Sequence, residues 1–180
     1  MGIFVLGILT FIILYGAFLT YIPFVISDKF GYGSGKIGLI LSLSSVMTAI
    51  VASQVGRISG KFGSVNVLKF AFLLYMLVSF AIPFINSIFI FLIPILLFGT
   101  AQALNFPNLQ TMLANLAPDN QRGIFMSLNG MNLRIGQTIG PLIIGLGFSY
   151  GGLKGAYFLS AIVAILGLFI LFTMHYKKKG

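Results

Sequence analysis

The sequence predicts an all-α integral membrane protein with six transmembrane helices. Hydrophobic residues make up 58% of the 180 residues, charged residues make up 7%, and the mean hydropathy is +1.07. A soluble domain of this size needs more polar surface than that composition provides. The apolar residues also form runs long enough to cross a hydrocarbon layer of about 30 Å. None of these runs alternates with the two-residue period of barrel strands.

Six apolar runs follow one another along the chain, separated by short polar or glycine-rich segments. We predict spans at residues 3–26, 37–55, 67–85, 88–116, 123–150 and 153–176. The basic segment 56–63 is predicted to be a turn. Segment 118–123 is predicted to be a polar hinge, because Pro118 cannot donate a helical hydrogen bond and Gly123 tolerates unusual backbone angles. Pro94 and Pro107 are possible kink sites in the long fourth span.

The positions of Lys and Arg predict the orientation of the bundle. With both termini in the cytoplasm, seven basic residues lie on the cytoplasmic side and three lie outside, which agrees with the positive-inside rule. The cytoplasmic set is Arg57, Lys61, Lys69, Arg122 and Lys177 to Lys179, and the outer set is Lys29, Lys36 and Lys154. We therefore predict a multi-pass protein of the plasma (cell inner) membrane. The net charge of +9 fits contact with an anionic leaflet, notably by the terminal lysines beside His175, better than binding of nucleic acid.

The composition argues against an enzyme. The chain has no Cys, no Glu, one His and two Asp, so metal sites, carboxylate pairs and nucleophile–base arrangements lack their residues. We predict no catalytic residue, no metal and no cofactor. Asp28 and Asp119 both fall between the predicted spans, whereas proton coupling generally requires a carboxyl group at membrane depth. If proton coupling exists, another chain or another half must supply that acid.

Arg134 is the strongest single candidate for a functional residue. If the fifth span starts at Gly123, eleven rises of 1.5 Å place Arg134 about 16 Å into the membrane, near its centre. A charge at that depth costs roughly 2.5–3.5 kcal/mol on insertion scales and is usually functional. Arg134 could bind an anionic group or pair with a partner's carboxylate, or it could be a structural arginine satisfied by backbone carbonyls. Gln137 shares its helix face, and both residues are candidates for lining a substrate cavity. Gly136 and Gly140 lie on the opposite face and predict a close-packing seam.

Four further residues are candidates for lining a substrate cavity. Gln102 and Asn105 are three residues apart and share a face of the fourth span, and Tyr15 and Phe18 belong to an aromatic stripe on the first span. The alternative for the two amides is hydrogen bonding between helices, and the alternative for the two aromatic residues is plain packing. Small residues of the second span predict another packing seam: Ser45, Ala49 and Ser53.

Three segments carry the patterns of a known family. Segment 56–63, GRISGKFG, is similar to the loop pattern G-x-x-x-D-R-x-G, with Lys61 in the arginine position, Gly63 as the closing glycine and Gly60 in place of the aspartate. A fourth-helix and exit-loop pattern is matched by Gly99, Pro107, Pro118, Arg122 and Gly123. Segment 136–145, GQTIGPLIIG, is similar to the antiporter pattern G-x-x-x-G-P-x-x-G-G. Over essentially its whole length, the chain resembles the major facilitator superfamily of secondary transporters.

The resemblance implies a fold and a set of site residues. The implied fold is one six-helix half of a twelve-helix facilitator, a single bundle built from two inverted three-helix repeats at about 1–86 and 87–180. The degenerate patterns, and Ile95 where first halves often carry an arginine, are most similar to the C-terminal half of a drug-exporter-type member. The implied gating-loop candidates are Arg57, Lys61, Gly63 and Arg122. The implied helix-packing motif is Gly136, Gly140, Pro141 and Gly145.

The resemblance also implies a function. It predicts half of a secondary active transporter, an antiporter for proton-coupled efflux of small, amphipathic molecules, with the substrate held near mid-membrane between two halves. The implied partners are a small-molecule substrate, the lipid bilayer, and either a complementary six-helix half or a second copy of the chain. The alternative is a non-transporting membrane scaffold or accessory subunit, or a truncated half without independent activity.

Overall fold

The all-helical prediction is confirmed. The computed structural model describes residues 2–118 and 121–174, and these residues are helical apart from short connections. Five helical stretches are long and apolar enough to cross a membrane. The last of them, Arg122–Thr173, has non-helical backbone angles at Gly151 and Gly152, and the chain folds back there. The predictions for Asp119, His175, Tyr176 and Lys177 to Lys179 lie outside the described residues.

Seven helices make up the part of the chain that the structure describes. In order they are α1 (Gly2–Phe30), α2 (Ser34–Ala52), α3 (Val55–Phe62), α4 (Ser64–Ala81), α5 (Ile88–Leu116), α6 (residues 122–150) and α7 (residues 153–173). The middle of α1, Ile12–Leu19, is π-helical, and α4 continues into the 3-10 turn Ile82–Phe84. All of these helices except α3 are long and apolar. Their arrangement as two inverted repeats stays a prediction.

The basic segment 56–63 is largely a helix, α3, rather than the predicted turn. Its apolar residues Val55, Ile58 and Phe62 recur at helical spacing, and Val55 and Ile58 pack against a small cluster of buried residues on α4 and α5. This tertiary contact stabilises a helix that its two glycines would disfavour in isolation. Gly63, at φ 82°, ends the helix and lets the chain turn into α4.

The connection between the first two spans is shorter than predicted. Helix α1 continues through its polar end to Phe30, where Gly31 adopts φ 67° and terminates it, and α2 begins at Ser34. The Lys29 ammonium group donates to the carbonyl oxygens of Pro83 and Ile85 at 3.0 and 3.1 Å. The basic residue therefore ties the end of α1 to the connection between α4 and α5.

Glycines set the closest helix contacts. A Cβ atom on Gly16 of α1 would lie 2.5 Å from the carbonyl oxygen of Gly140 of α6, so these helices meet backbone to backbone. Gly99 of α5 lies equally close to the backbone of α2, and Gly167 of α7 is covered by the ring of Phe72 from α4. The main helix pairs are accordingly α1 with α6, α2 with α5, and α4 with both α5 and α7.

Two helices leave long faces uncovered. In α2 only Ile40 and Ser44 are buried, and Leu39 is 69% exposed. In α6 the exposed face includes Met131 and Arg134. Because these faces are long and mostly apolar, lipid or another membrane-embedded polypeptide must cover them.

Candidate functional site

A cavity of about 430 Å³ lies between α1, α2 and α5. Its apolar lining comprises Leu14, Phe18, Leu19, Leu41 and Phe98, and its polar lining comprises Ser42, Ser44, Ser45, Thr48 and Gln102. None of the described residues that line it is charged. An apolar lining with a few placed polar groups is typical of sites for small molecules.

Two stacked rings form the aromatic wall of this cavity. The rings of Phe18 and Phe98 are nearly parallel, at 8°, with their centroids 3.8 Å apart. Phe18 belongs to the π-helical part of α1, and the ring of Tyr75 from α4 lies 5.2 Å from that of Phe98. Because both stacked residues are otherwise buried, the wall is held in place from behind.

Gln102 is the largest polar side chain of the cavity, and a buried tyrosine holds it. The hydroxyl of Tyr75, a fully buried residue, donates to Oε1 of Gln102 at 2.5 Å. The amide Nε2 of Gln102 has no protein acceptor among residues 2–118 and 121–174. Tyr75 thus fixes the amide while its N–H donors stay available for a solute in the cavity.

The hydroxyl groups of α2 divide into two kinds. Ser42 donates to the carbonyl oxygen of Leu39 at 2.7 Å, and Thr48 lies within 2.9 Å of the carbonyl oxygens of Ser44 and Gly99. With their protons engaged, these two oxygens can only accept hydrogen bonds from a solute. The hydroxyl of Ser45 has no protein partner in the described part of the chain, so it can donate as well.

The structure brings two of the six predicted cavity residues to this site, Gln102 and Phe18. Tyr15 is half-buried and stacks on Phe11, with their centroids 5.7 Å apart, and it does not line the cavity. Asn105, one turn beyond Gln102, is fully buried against α1. Its amide therefore takes part in helix packing rather than facing the cavity.

Asn105 and Thr10 form a buried polar pair between α5 and α1. The Thr10 hydroxyl lies 2.8 Å from the carbonyl oxygen of Leu6 and 3.0 Å from the Asn105 amide, and it has only one proton to donate. With the amide turned so that Nδ2 faces Thr10, Nδ2 donates to the hydroxyl oxygen and the hydroxyl donates to Leu6. This orientation gives Nδ2 a partner and leaves Oδ1 as the amide atom without one among the described residues.

Arg134 and Gln137 lie on α6, away from the cavity. The Arg134 side chain is exposed, and Gln137 is partly buried. Neither makes a hydrogen bond or ion pair with another residue in the described ranges. In this chain alone the guanidinium group therefore faces outward from the bundle, where a second polypeptide or a lipid headgroup could reach it.

The glycine-rich part of α6 lies against α1. A Cβ atom on Gly136 would lie 2.7 Å from the carbonyl oxygen of Ile8, and one on Gly140 would lie 3.0 Å from Cα of Ile12. Gly145 differs, since the nearest atom to an added Cβ would be 3.8 Å away. Pro141 is tolerated inside α6 and is partly buried.

The four predicted gating residues lie at the ends of helices. Arg57 donates to the side-chain oxygen of Gln54 at 3.1 Å, and the Lys61 ammonium group lies 5.4 Å from the centroid of the Phe62 ring. Gly63 is the left-handed residue between α3 and α4, and Arg122 is the first residue of α6. Their gating role stays a prediction.

Tyr75 and the row of hydroxyls on α2 were not predicted from the sequence. The available signal for Tyr75 was chemical, since a tyrosine inside an apolar span needs a hydrogen-bond partner. The predicted seam of small residues on α2 was displaced by one residue, because α2 contacts α5 through Ser44 and Thr48 and Ser45 lines the cavity. Both rows have four-residue spacing, so spacing alone could not choose between them.

Comparisons with known proteins identify the family of the chain. The family model described as Major Facilitator Superfamily matches residues 3–180. The chain is 27% identical to "Probable anion transporter 6" of Oryza sativa subsp. japonica, over 82% of this chain and 35% of that protein. It is 25% identical to an uncharacterized MFS-type transporter of Bacillus subtilis (strain 168), over 82% and 36%.

A third relative has a different cargo in its name. The chain is 23% identical to a "Na(+), Li(+), K(+)/H(+) antiporter" of Planococcus maritimus, over 82% of this chain and 35% of that protein. The chain thus spans about a third of the length of these relatives. Because the family model covers nearly every residue, the chain belongs to the major facilitator superfamily of membrane transporters.

Proposed function

We propose that this chain forms one half of a secondary active transporter and that the cavity between α1, α2 and α5 is its share of the solute pathway. The observation that carries the proposal is the lining of that cavity, which combines a rigid aromatic wall with hydrogen-bonding groups inside an otherwise apolar bundle. Membership of a transporter family supports the same reading.

The lining favours a small, amphipathic solute. Leu14, Leu19 and Leu41 offer an apolar surface that the stacked rings of Phe18 and Phe98 back. The amide of Gln102 and the hydroxyl of Ser45 offer donors and acceptors. An anion or a metal cation, the cargo named for some relatives, would need opposite charge in the pathway. For an anion, the described part of α6 offers such charge at Arg134, provided that a second half closes over the exposed face of that helix. A guanidinium group cannot serve a metal cation in this way.

The proposed transport is proton-coupled export, and its titrating acid lies outside this half. Asp28 is the only Asp or Glu in the described part of the chain, and it lies near the end of α1. A membrane-embedded carboxyl is the usual proton carrier in such proteins. The uncovered faces of α2 and α6 are where we place the complementary half, or a second copy of the chain, that supplies it.

Reconstitution into proteoliposomes tests the proposal. The chain would be assayed alone and together with a complementary six-helix half, using decay of an imposed pH gradient on addition of amphipathic solutes. Gln102→Leu should raise KM by roughly 2- to 13-fold, the loss of one hydrogen bond of about 0.5–1.5 kcal/mol. Tyr75→Phe should raise KM by less, since it frees the amide without removing it.

Asn115→Leu is the matched control, because it also replaces an amide side chain by leucine, at an exposed position of the same helix, α5. A Gln102→Leu variant that behaves like Asn115→Leu would contradict the assignment of the cavity. Failure of both arrangements to transport any solute would favour the scaffold or accessory alternative.

A further inference from the structure

A second cavity, of about 540 Å³, lies where α2, α3, α4 and α5 meet. It is lined by Val51, Ile58, Phe62, Asn66, Val67, Phe70, Thr100 and Leu104. Its two polar side chains are already engaged, since Asn66 donates to the carbonyl oxygen of Phe62 at 3.1 Å and Thr100 donates to that of Leu96 at 3.0 Å. The surface that the groove presents is therefore almost wholly hydrocarbon.

The rim of this groove is open to the surroundings of the bundle. Phe62 and Phe70 are 58% and 51% exposed. Helix α3 runs along one end of the groove and contributes Ile58 and Phe62 to it. An amphipathic helix at the end of a membrane span normally lies at the level of the lipid headgroups.

Positive charge lies at the same rim. The Lys61 ammonium group lies over the ring of Phe62, and Arg57, four residues earlier, is on the same face of α3. The described acid, Asp28, lies near the end of α1, shortly before α2 begins. The 19 residues of α2, which span about 28 Å, therefore separate it from α3. The two cations are therefore not neutralised by any carboxylate in the described ranges.

We propose that this groove binds one anionic phospholipid, with an acyl chain along the apolar lining and the phosphate beside Lys61 and Arg57. Charge complementarity favours this occupant, since a headgroup phosphate supplies negative charge that no described residue brings to the rim. The size of the groove agrees. One turn of a helix 10–12 Å across occupies roughly 420–610 Å³, so a rigid partner helix could place only about one turn in the groove, whereas a flexible acyl chain can follow its apolar lining.

The absence of tryptophan from the sequence allows a direct test. Phe70→Trp places a single fluorophore on the rim and keeps a large aromatic side chain there. The protein would be reconstituted into bilayers containing either phosphatidylglycerol or phosphatidylcholine with brominated chains at equal mole fractions. Binding of each lipid is read from the quenching of the tryptophan fluorescence by the brominated chains. A basic residue near an anionic surface raises the affinity for an anionic lipid about fivefold. We therefore expect phosphatidylglycerol to bind about 5- to 25-fold more strongly than phosphatidylcholine at low salt.

Charge variants in the Phe70→Trp background identify the residues responsible. The double variant Arg57→Gln with Lys61→Gln should bring the ratio of the binding constants of phosphatidylglycerol and phosphatidylcholine to about one. The matched control, Lys36→Gln with Lys154→Gln, makes the same change in net charge near the opposite ends of the helices and should leave the ratio unchanged. Ile162→Trp, on the exposed face of α7, is the control reporter and should show a ratio near one.

Three results would overturn the proposal. A ratio near one for Phe70→Trp would show that the groove does not select anionic lipid. An equal loss in both pairs of charge variants would show diffuse attraction rather than a site. Absence of quenching by either lipid would show that protein fills the groove. Phe62→Trp provides a second reporter on the same rim, with folding of each variant checked by size-exclusion chromatography and circular dichroism.

Discussion

Gly136→Ala tests whether α1 and α6 meet backbone to backbone. The added Cβ atom would lie 2.7 Å from the carbonyl oxygen of Ile8 and 2.8 Å from Cβ of Phe11, so α1 must move by several tenths of an ångström. Overpacking of this kind costs about 1–3 kcal/mol. The better helix propensity of alanine offsets about 0.8–1.0 kcal/mol of that cost, and we expect a net loss of up to about 2 kcal/mol.

Gly130→Ala is the matched control in the same helix. A Cβ atom at Gly130 would meet nothing within 4 Å, so this variant gains the propensity term without the collision. The difference between the free energies of unfolding of the two variants therefore isolates the cost of overpacking. We expect about 1–3 kcal/mol, or roughly 5- to 140-fold in the unfolding equilibrium. It would be measured by titration with sodium dodecyl sulfate in mixed micelles, followed by far-ultraviolet circular dichroism.

Equal midpoints for Gly136→Ala and Gly130→Ala would refute this reasoning. They would mean that α1 has room to accept a methyl group at Gly136, and that the two helices are not in backbone contact at that level. The same result would remove the reason for placing Arg134 on the uncovered face, because the glycine side of α6 fixes that orientation.

Three further predictions concern polar contacts and orientation. In a double-mutant cycle of the same unfolding assay, the effects of Thr10→Val and Asn105→Leu on the free energy of unfolding should be non-additive by about 0.6–1.7 kcal/mol, as found for membrane-embedded hydrogen bonds. Additive effects would argue against a hydrogen bond between the two side chains. In a chain without cysteine, Gly35→Cys should react with an impermeant thiol reagent in intact cells and Gly60→Cys only after permeabilisation, and the reverse pattern would invert the proposed topology. Lys29→Met removes the contacts that tie α1 to the connection between α4 and α5 and should speed limited proteolysis of that connection; an unchanged rate would show that the contacts are not needed.

The six spans could be predicted because their signal is local. Each is a run of apolar residues whose length matches the membrane, and no distant contact is needed to recognise it. Helix α3 could not be predicted in the same way, since Gly56 and Gly60 favour a turn locally. Only the packing of Val55 and Ile58 on α4 and α5 makes the helix favourable, and that contact depends on the tertiary fold.

The cavity was predictable in part for the same reason. Gln102 stands out as an amide within an apolar run, and its neighbours Tyr75 and Thr48 come from other helices whose rotation the sequence does not specify. Asn105 has the same local signal as Gln102, yet it faces α1 instead of the cavity. The two amides are only three residues apart on α5, yet one lines the cavity and the other is buried. A helical wheel places both on the same face and cannot distinguish these two environments.

The π-helical segment of α1 marks where that helix can change its number of residues. Each residue of an α-helix advances the side-chain direction by about 100°, and the wider turns of Ile12–Leu19 accommodate surplus residues that a regular helix would not. Deleting one residue within this segment can therefore be absorbed by a return to α-helical turns, whereas the same deletion in a regular part of α1 would rotate everything beyond it by about 100° relative to the part before. Single-residue deletions should accordingly be tolerated better within Ile12–Leu19 than in the first ten residues of the helix, where they would change the rotation of Phe18 relative to the N-terminal part of α1.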